Sequence, residues 1–109
     1  MTVREFYERN QLHIFTEGDM ERTITGCYIG DLLSLVMSRA EEGQLWITIQ
    51  GNVNIAAVAA LTDVACILVA EGRSIDPDTE AKAKEQGITI LGSHFSAYEA
   101  ACLLHAQLS

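Results

Sequence analysis

The segment ITIQGNVNIA, residues 47–56, decides the fold of this chain. It continues the apolar run that begins at Leu45, which predicts a short buried strand. Gly51 and Asn52 then predict a turn, and the apolar residues that follow predict a helix. Such a junction can bind an anion through the free N–H groups of the helix start, or it can simply turn a corner. We interpret it first as a corner.

Two similar units follow this junction. ACILVA leads into DPDTEAKAKEQG, and ITILG leads into SAYEAACLLHAQL. The strands are continuous apolar runs, so both of their faces should be covered. Alternation of such strands with helices predicts a parallel sheet with right-handed crossovers. We therefore predict an α/β fold: a parallel sheet core of βα units, flanked by helices on both faces in three layers, in one domain spanning residues 1–109.

The first 30 residues predict an N-terminal helix and two short β-strands. Thr2 and Glu5 have the spacing of a capping box, which places a helix over Val3–Arg9. The runs LHIFT and TITGCYIG then favour two strands separated by the polar turn EGDMER. We expect this helix and the two strands to form one N-terminal element.

Start and stop signals mark the later helices. Asp31 predicts the cap and Gly43 the stop of a helix over DLLSLVMSRAEEG. Asp76 precedes a proline at the first helical position, and Ser96 and Glu99 have the spacing of a second capping box.

Composition excludes several classes of partner. The 109 residues include 7 basic and 15 acidic side chains, a formal net charge of −8. Such a field repels nucleic acid and anionic membrane surfaces, because both are bound through Lys and Arg. The longest apolar run, residues 55–61, is too short to cross a bilayer, and the N-terminus does not resemble a signal peptide. We expect a cytoplasmic protein whose partner is another protein or a small ligand.

The cysteines and histidines do not predict a metal site. Cys27, Cys66 and Cys102 are widely spaced in apolar surroundings, which is typical of reduced core thiols. No C-x-x-C pair occurs, and neither His13 nor His105 is followed by a histidine or cysteine three or four residues later. The sequence therefore predicts neither a metal nor a cofactor.

Ligands of open parallel sheets gather outside the carboxyl ends of the strands. Three loops form that edge here: residues 50–54, 70–74 and 92–96. The first and third contain no acidic residue, so an anion could bind at the helix starts that follow them. In the middle loop Glu71 could accept from a ribose hydroxyl or an amine. The predicted ligand-binding residues are Gly51, Asn52, Asn54, Glu71, Gly72, Arg73, Ser93, His94 and Ser96.

No catalytic residue is assigned. His94 lies beside Ser93 and Ser96, but no nearby acidic residue is suited to orient it as a base. Neither of the usual phosphate-binding glycine fingerprints occurs. A solvated loop histidine and a turn with a helix cap are therefore the simpler interpretations of His94 and of the Gly51–Asn52 pair.

Most of the chain, residues 2–107, resembles the DRTGG domain, a small α/β module. The resemblance rests on ITIQGNVNIAAVAAL, ACILVAEG, GITIL and SAYEAA, together with the opening MTVREF and the segment GCYIGDLLSLVM. The letters that name the family are mostly replaced. Its Asp-Arg pair falls on Gly51 and Asn52, and its Thr-Gly-Gly falls on residues 70–72, of which only Gly72 is retained.

This resemblance implies a non-catalytic regulatory or interaction module, homodimeric and associated with nucleotide-responsive enzymes. Such a module could sense a small ligand, such as a nucleotide, at the loop edge. The alternative is a small enzyme acting on a nucleotide or an acyl-phosphate, with His94 as acid or base and the Gly51–Asn52 turn as an anion hole. Alanines at 56, 57, 59 and 60 would let their helix pack closely on the sheet or on a partner subunit.

Overall fold

The computed structural model describes residues 1–108. Five helices and five strands follow one another along the chain. Their bounds are α1 (Val3–Arg9), β1 (His13–Thr16), β2 (Gly26–Ile29), α2 (Leu33–Arg39), β3 (Gln44–Thr48), α3 (Asn54–Thr62), β4 (Cys66–Val69), α4 (Pro77–Gln86), β5 (Ile90–Gly92) and α5 (Ala97–Leu108).

The strands form a single sheet in the order β1-β5-β4-β3-β2. Strands β2 to β5 are parallel to one another, and β1 is antiparallel to β5. The predicted α/β fold with helices on both faces is confirmed. Helices α2, α3 and α4 connect the parallel strands and pack on one face of the sheet. The strands follow one another in one direction across the sheet, so right-handed crossovers place all three helices on the same side.

The continuous apolar strands supply two cores at once. Leu45, Ile47 and Leu68 point to the face that α1 and α5 cover, whereas Trp46 and Ile67 point to the face of α2, α3 and α4. All five side chains are fully buried. This arrangement explains why the strands lack polar alternation: neither face of the central strands meets water.

Most of the predicted helix signals operate as expected. Both capping boxes are present. The hydroxyls of Thr2 and Ser96 accept from the backbone N–H groups of Glu5 and Glu99. The carboxylates of Glu5 and Glu99 accept from the backbone N–H groups of Thr2 and Ser96. Asp76 precedes α4, although its side chain makes no capping bond.

The signals predicted for α2 were wrong. This helix begins after Leu32 and ends at Arg39, well before Gly43, which lies in the turn before β3 with φ of 83°. The Asp31 carboxylate instead accepts hydrogen bonds from the Thr48 hydroxyl (2.8 Å) and the Ile49 N–H (2.9 Å). Asp31 therefore stabilises the end of β3 and does not cap the helix that follows it.

The predicted N-terminal helix and two short strands are present, but the two strands do not lie together as one element. Strands β1 and β2 are adjacent in sequence, yet they occupy opposite edges of the sheet. Segment 17–25 crosses the N-terminal end of the sheet between them, and Arg22 bonds Asp63 there (2.7 Å). Strand β1 pairs with β5 and strand β2 pairs with β3, so each covers one edge of the central strands.

None of the helices formed by residues 1–108 is long and apolar enough to span a bilayer.

We expect the chain to unfold as one cooperative unit, because both cores share the strands of a single sheet. Trp46, the one tryptophan, is fully buried, and its indole N–H donates to the Gly30 carbonyl at 2.9 Å. Its fluorescence and the far-UV circular dichroism should therefore change at the same urea concentration. Two separate transitions would contradict a single domain.

The cysteines differ in exposure, which corrects the expectation that all three lie in the core: Cys102 is exposed on α5. Burial raises the pKa of Cys66 to about 12 and that of Cys27 to about 11. Because the thiolate is the reactive form, we expect iodoacetamide at pH 8 to modify one thiol in the folded protein and three in urea. Mass spectrometry gives the count, and a Cys102→Ser variant should show none when folded. Rapid modification of Cys27 or Cys66 in the native protein would refute this prediction.

Candidate functional site

The carboxyl ends of β3, β4 and β5 meet at one edge of the sheet, as predicted, and their loops enclose two cavities. The larger has a volume of about 690 Å³ and is called here the Phe15 cavity. Its lining residues are Asn10, Gln11, Leu12, His13, Phe15, Gly72, Arg73, Ser74, Gly92, Ser93, His94 and Phe95. A volume of this size lies within the range of small-molecule sites.

The smaller cavity, called here the Asn52 cavity, has a volume of about 520 Å³. Its lining residues are Ile49, Gln50, Gly51, Asn52, Gly72, Arg73, Ser74 and Asp76. Residues 72–74 of the β4–α4 loop line both cavities and so form the wall between them. The loop edge therefore contains two neighbouring cavities and not one.

Six of the nine predicted residues line a cavity, and three do not. Gly72, Arg73, Ser93 and His94 line the Phe15 cavity, while Gly51 and Asn52 line the other. The three outside both are Asn54, Glu71 and Ser96.

The residues outside the cavities hold the loops. The Asn54 backbone N–H donates to the side-chain amide oxygen Oδ1 of Asn52 (2.9 Å), which stabilises the turn just before α3. Glu71 has a left-handed backbone (φ 61°), and its N–H donates to the Phe95 carbonyl (2.8 Å). Ser96 caps α5. Hydrogen bonds from Ser96 lower the pKa of Glu99, so an acidic group already occupies the helix start where an anion was expected to bind.

Gly51 joins the first loop to the second. A Cβ at this position would lie 2.4 Å from the Ser74 carbonyl oxygen, so only glycine permits the contact. The Gly51 carbonyl oxygen accepts from the Asp76 N–H (2.9 Å) and from the buried Thr79 hydroxyl (2.7 Å). The Gly-Asn junction is thus a corner that sets the distance between two loops.

His94 is not part of a catalytic pair in this structure. Its ring lies against Gly72, where a Cβ would be 2.9 Å from Nδ1. The Ser93 hydroxyl accepts from the Phe95 N–H (2.8 Å). Within residues 1–108, the His94 ring forms no hydrogen bond with Ser93, Ser96 or a carboxylate. Moreover, His94 and the Gly51–Asn52 turn line different cavities, so the anion hole and the base of the enzyme alternative are not brought together.

Arg73 is distinguished by its lack of a partner. Five of the seven basic side chains form ion pairs with carboxylates: Arg4, Arg9, Arg22, Lys82 and Lys84. Among the described residues, only Arg39 and Arg73 form none. Arg73 is exposed at the wall between the cavities, where its guanidinium is free to bind an anion. Asp76 makes the Asn52 cavity the less suitable of the two for a phosphate.

Sequence reasoning missed one wall of the Phe15 cavity, which comes from the turn between α1 and β1. Because β1 is antiparallel to β5, its first residue pairs with Gly92 at the carboxyl end of the parallel strands. Gln11 in this turn has a left-handed backbone (φ 52°). The rings of His13 and Phe15 pack edge to face, with their centroids 4.6 Å apart. The orientation of β1 was the missing information.

Residues 1–108 contain no group of three or more histidine, cysteine, aspartate or glutamate side chains arranged to hold a metal ion.

Comparison with known proteins supports the fold. No family model matches the sequence, and no curated protein matches it either. The structure is similar to the crystal structure of the CBS and DRTGG domains of the regulatory region of Clostridium perfringens pyrophosphatase, complexed with the activator diadenosine tetraphosphate. The TM-score is 0.76 at 14% sequence identity. The match covers 94% of this chain and 45% of the other, so this chain spans less than half of that region. The chain has a DRTGG-like fold.

Replacing Gly51 should destabilise the protein through the Ser74 contact. We expect Gly51→Ala to lower the free energy of unfolding by about 1–3 kcal/mol, the usual cost of overpacking against atoms that cannot move aside. Urea titration measures the difference. Gly26→Ala is the matched control, because the nearest atom to its Cβ would be 3.7 Å away on the Gln44 side chain. Equal effects of the two substitutions would show that the contact is not limiting.

Proposed function

We propose that this chain is a non-catalytic regulatory domain that binds a small anionic ligand with a planar ring, such as a nucleotide, in the Phe15 cavity. The observation that supports this most directly is the unpaired Arg73 at the wall of that cavity. In a chain of net charge −8, most cations are neutralised by the protein's own carboxylates. An arginine left free beside a cavity has a guanidinium suited to bind phosphate with two parallel hydrogen bonds.

The rest of the cavity suits the other parts of a nucleotide. Phe15 and Phe95 are half-buried and offer apolar ring surface on which a base can stack. The exposed Gln11 amide carries both donors and an acceptor, which can read the edge of a base. These groups recognise a ligand, but none of them activates a nucleophile. The activator of the similar pyrophosphatase region is itself a nucleotide, which agrees with this ligand class.

We propose in addition that the domain acts as a homodimer, as the resemblance to DRTGG modules implies. Its mass in solution should then be twice the 11.9 kDa of one chain. A regulatory domain of this size can transmit ligand binding through a change in how its copies, or a larger partner protein, associate with it.

Thermal-shift measurements with AMP and ATP test the ligand proposal. A ligand at 100 times its Kd adds about 2.7 kcal/mol of stability, a shift of several degrees for a domain of this size. We expect Arg73→Gln to weaken binding by roughly tenfold or more, because a charge-assisted hydrogen bond contributes about 1.5–3 kcal/mol. Adenosine, which lacks the phosphate, should bind the native protein and this variant alike.

Two controls make the result specific. Arg39→Gln removes the other unpaired cation, which lines neither cavity, and should leave nucleotide binding unchanged. Asn52→Ala alters only the Asn52 cavity and should also be neutral. The absence of any shift with nucleotides would contradict the proposal. A shift abolished by Asn52→Ala would move the site to the other cavity, because Arg73 lines both cavities and Asn52 only one.

The enzyme alternative gives a separate readout. We expect no turnover of ATP or acetyl phosphate above the rate in buffer, measured by release of inorganic phosphate. Turnover that disappears in a His94→Ala variant would overturn the regulatory proposal and establish His94 as the acid or base.

A further inference from the structure

Helices α2 and α3 pack side by side and expose apolar side chains to solvent. Leu61 is 70% exposed, Leu32 62%, Met37 48% and Leu35 40%. The exposed alanines of α3 belong to the same layer of the molecule. We call this surface the α2–α3 face, made of Leu32, Leu35, Met37, Ala57, Ala60 and Leu61.

The four alanines of α3 divide between two environments. Ala56 and Ala59 are buried against the sheet, at 0% and 1% exposure. Ala57 and Ala60 are exposed on the opposite side of the helix. Packing within the domain therefore explains only half of the small residues that the sequence places in this helix.

The α2–α3 face is also poor in charge compared with α4. Helices α2 and α3 together contain one charged residue, Arg39. Helix α4, their neighbour in the same layer, contains five: Asp78, Glu80, Lys82, Lys84 and Glu85. Solvated helix faces usually carry such charges, so the α2–α3 face has the composition of a covered surface.

We propose that the α2–α3 face binds the same face of a second copy of this chain. The inference rests on the homodimer of the proposed function and identifies its interface. Two copies with a net charge of −8 each repel one another, and they approach with fewest like-charge pairs through a face without acidic side chains. A two-fold axis places this face of one copy against the same face of the other. Apolar side chains can pack in such a contact without requiring an oppositely charged partner. Ala57 and Ala60 permit the two α3 helices to approach closely.

The face can form the centre of a dimer interface. Leu32, Leu35 and Leu61 are its most exposed leucines, and a stable interface of standard size buries about 800 Å² from each partner. The exposed serines Ser34 and Ser38 lie between Leu35 and Met37 around the solvent side of α2, where they can form hydrogen bonds across the interface.

Charge introduced at Ala57 tests the proposal in the full chain. Sedimentation equilibrium should give a dimer mass for the native protein, and Ala57→Glu should raise the Kd of the dimer by roughly tenfold or more. Ala57→Lys should do the same, and mixing the two variants should restore dimers. Leu61→Ser should weaken the dimer without adding charge.

Ala81→Glu is the matched control, since Ala81 is an exposed alanine in the middle of α4. It should dimerise like the native protein, and circular dichroism should show all variants folded. Dimers of Ala57→Glu as stable as those of Ala81→Glu would overturn the interface while leaving the homodimer intact. A monomeric native protein at 100-micromolar concentration, about the range of weak association, would overturn both. Neither result affects the nucleotide proposal, which thermal shift measures independently.

Discussion

The contact between Gly51 and the Ser74 carbonyl is the constraint on which the loop edge depends. It brings the backbones of the β3–α3 and β4–α4 loops together, and hydrogen bonds from Asp76 and Thr79 to the Gly51 carbonyl maintain that approach. The position of Arg73 follows, because the loop that carries it is held at Gly51 on one side and bonded to residues 93–95 on the other. A Cβ atom at residue 51 would move the wall between the two cavities.

Most charged groups of the protein have partners within the chain. Near the loop edge the Asp31 carboxylate bonds the end of β3 and the Glu99 carboxylate completes a capping box, and no carboxylate hydrogen-bonds the His94 ring within the described residues. Most cations are paired at the surface, where such pairs contribute little stability. The unpaired Arg73 is therefore the feature of this edge that internal structure does not explain.

Helix α3 lies next to the Asn52 cavity and contributes to the α2–α3 face. Its start follows the loop that lines the Asn52 cavity, its inner alanines pack on the sheet, and its outer alanines lie on the α2–α3 face. One short helix without charged residues thus contacts the core and is positioned beside both the loop edge and the proposed dimer interface.

The sequence by itself determined the fold class, the order of the elements, both capping boxes and the edge at which ligands would gather, because hydrophobic periodicity, turn residues and caps act locally. Only the tertiary structure decided the orientation of β1, the separation of β1 from β2, the role of Asp31 and the division of the loop edge into two cavities. Those features depend on which segments meet in the folded chain, as Asp31 and Thr48 do across 17 residues and Gln11 and His94 do at the Phe15 cavity. Local patterns contain no information about such meetings, since burial of the whole chain selects them.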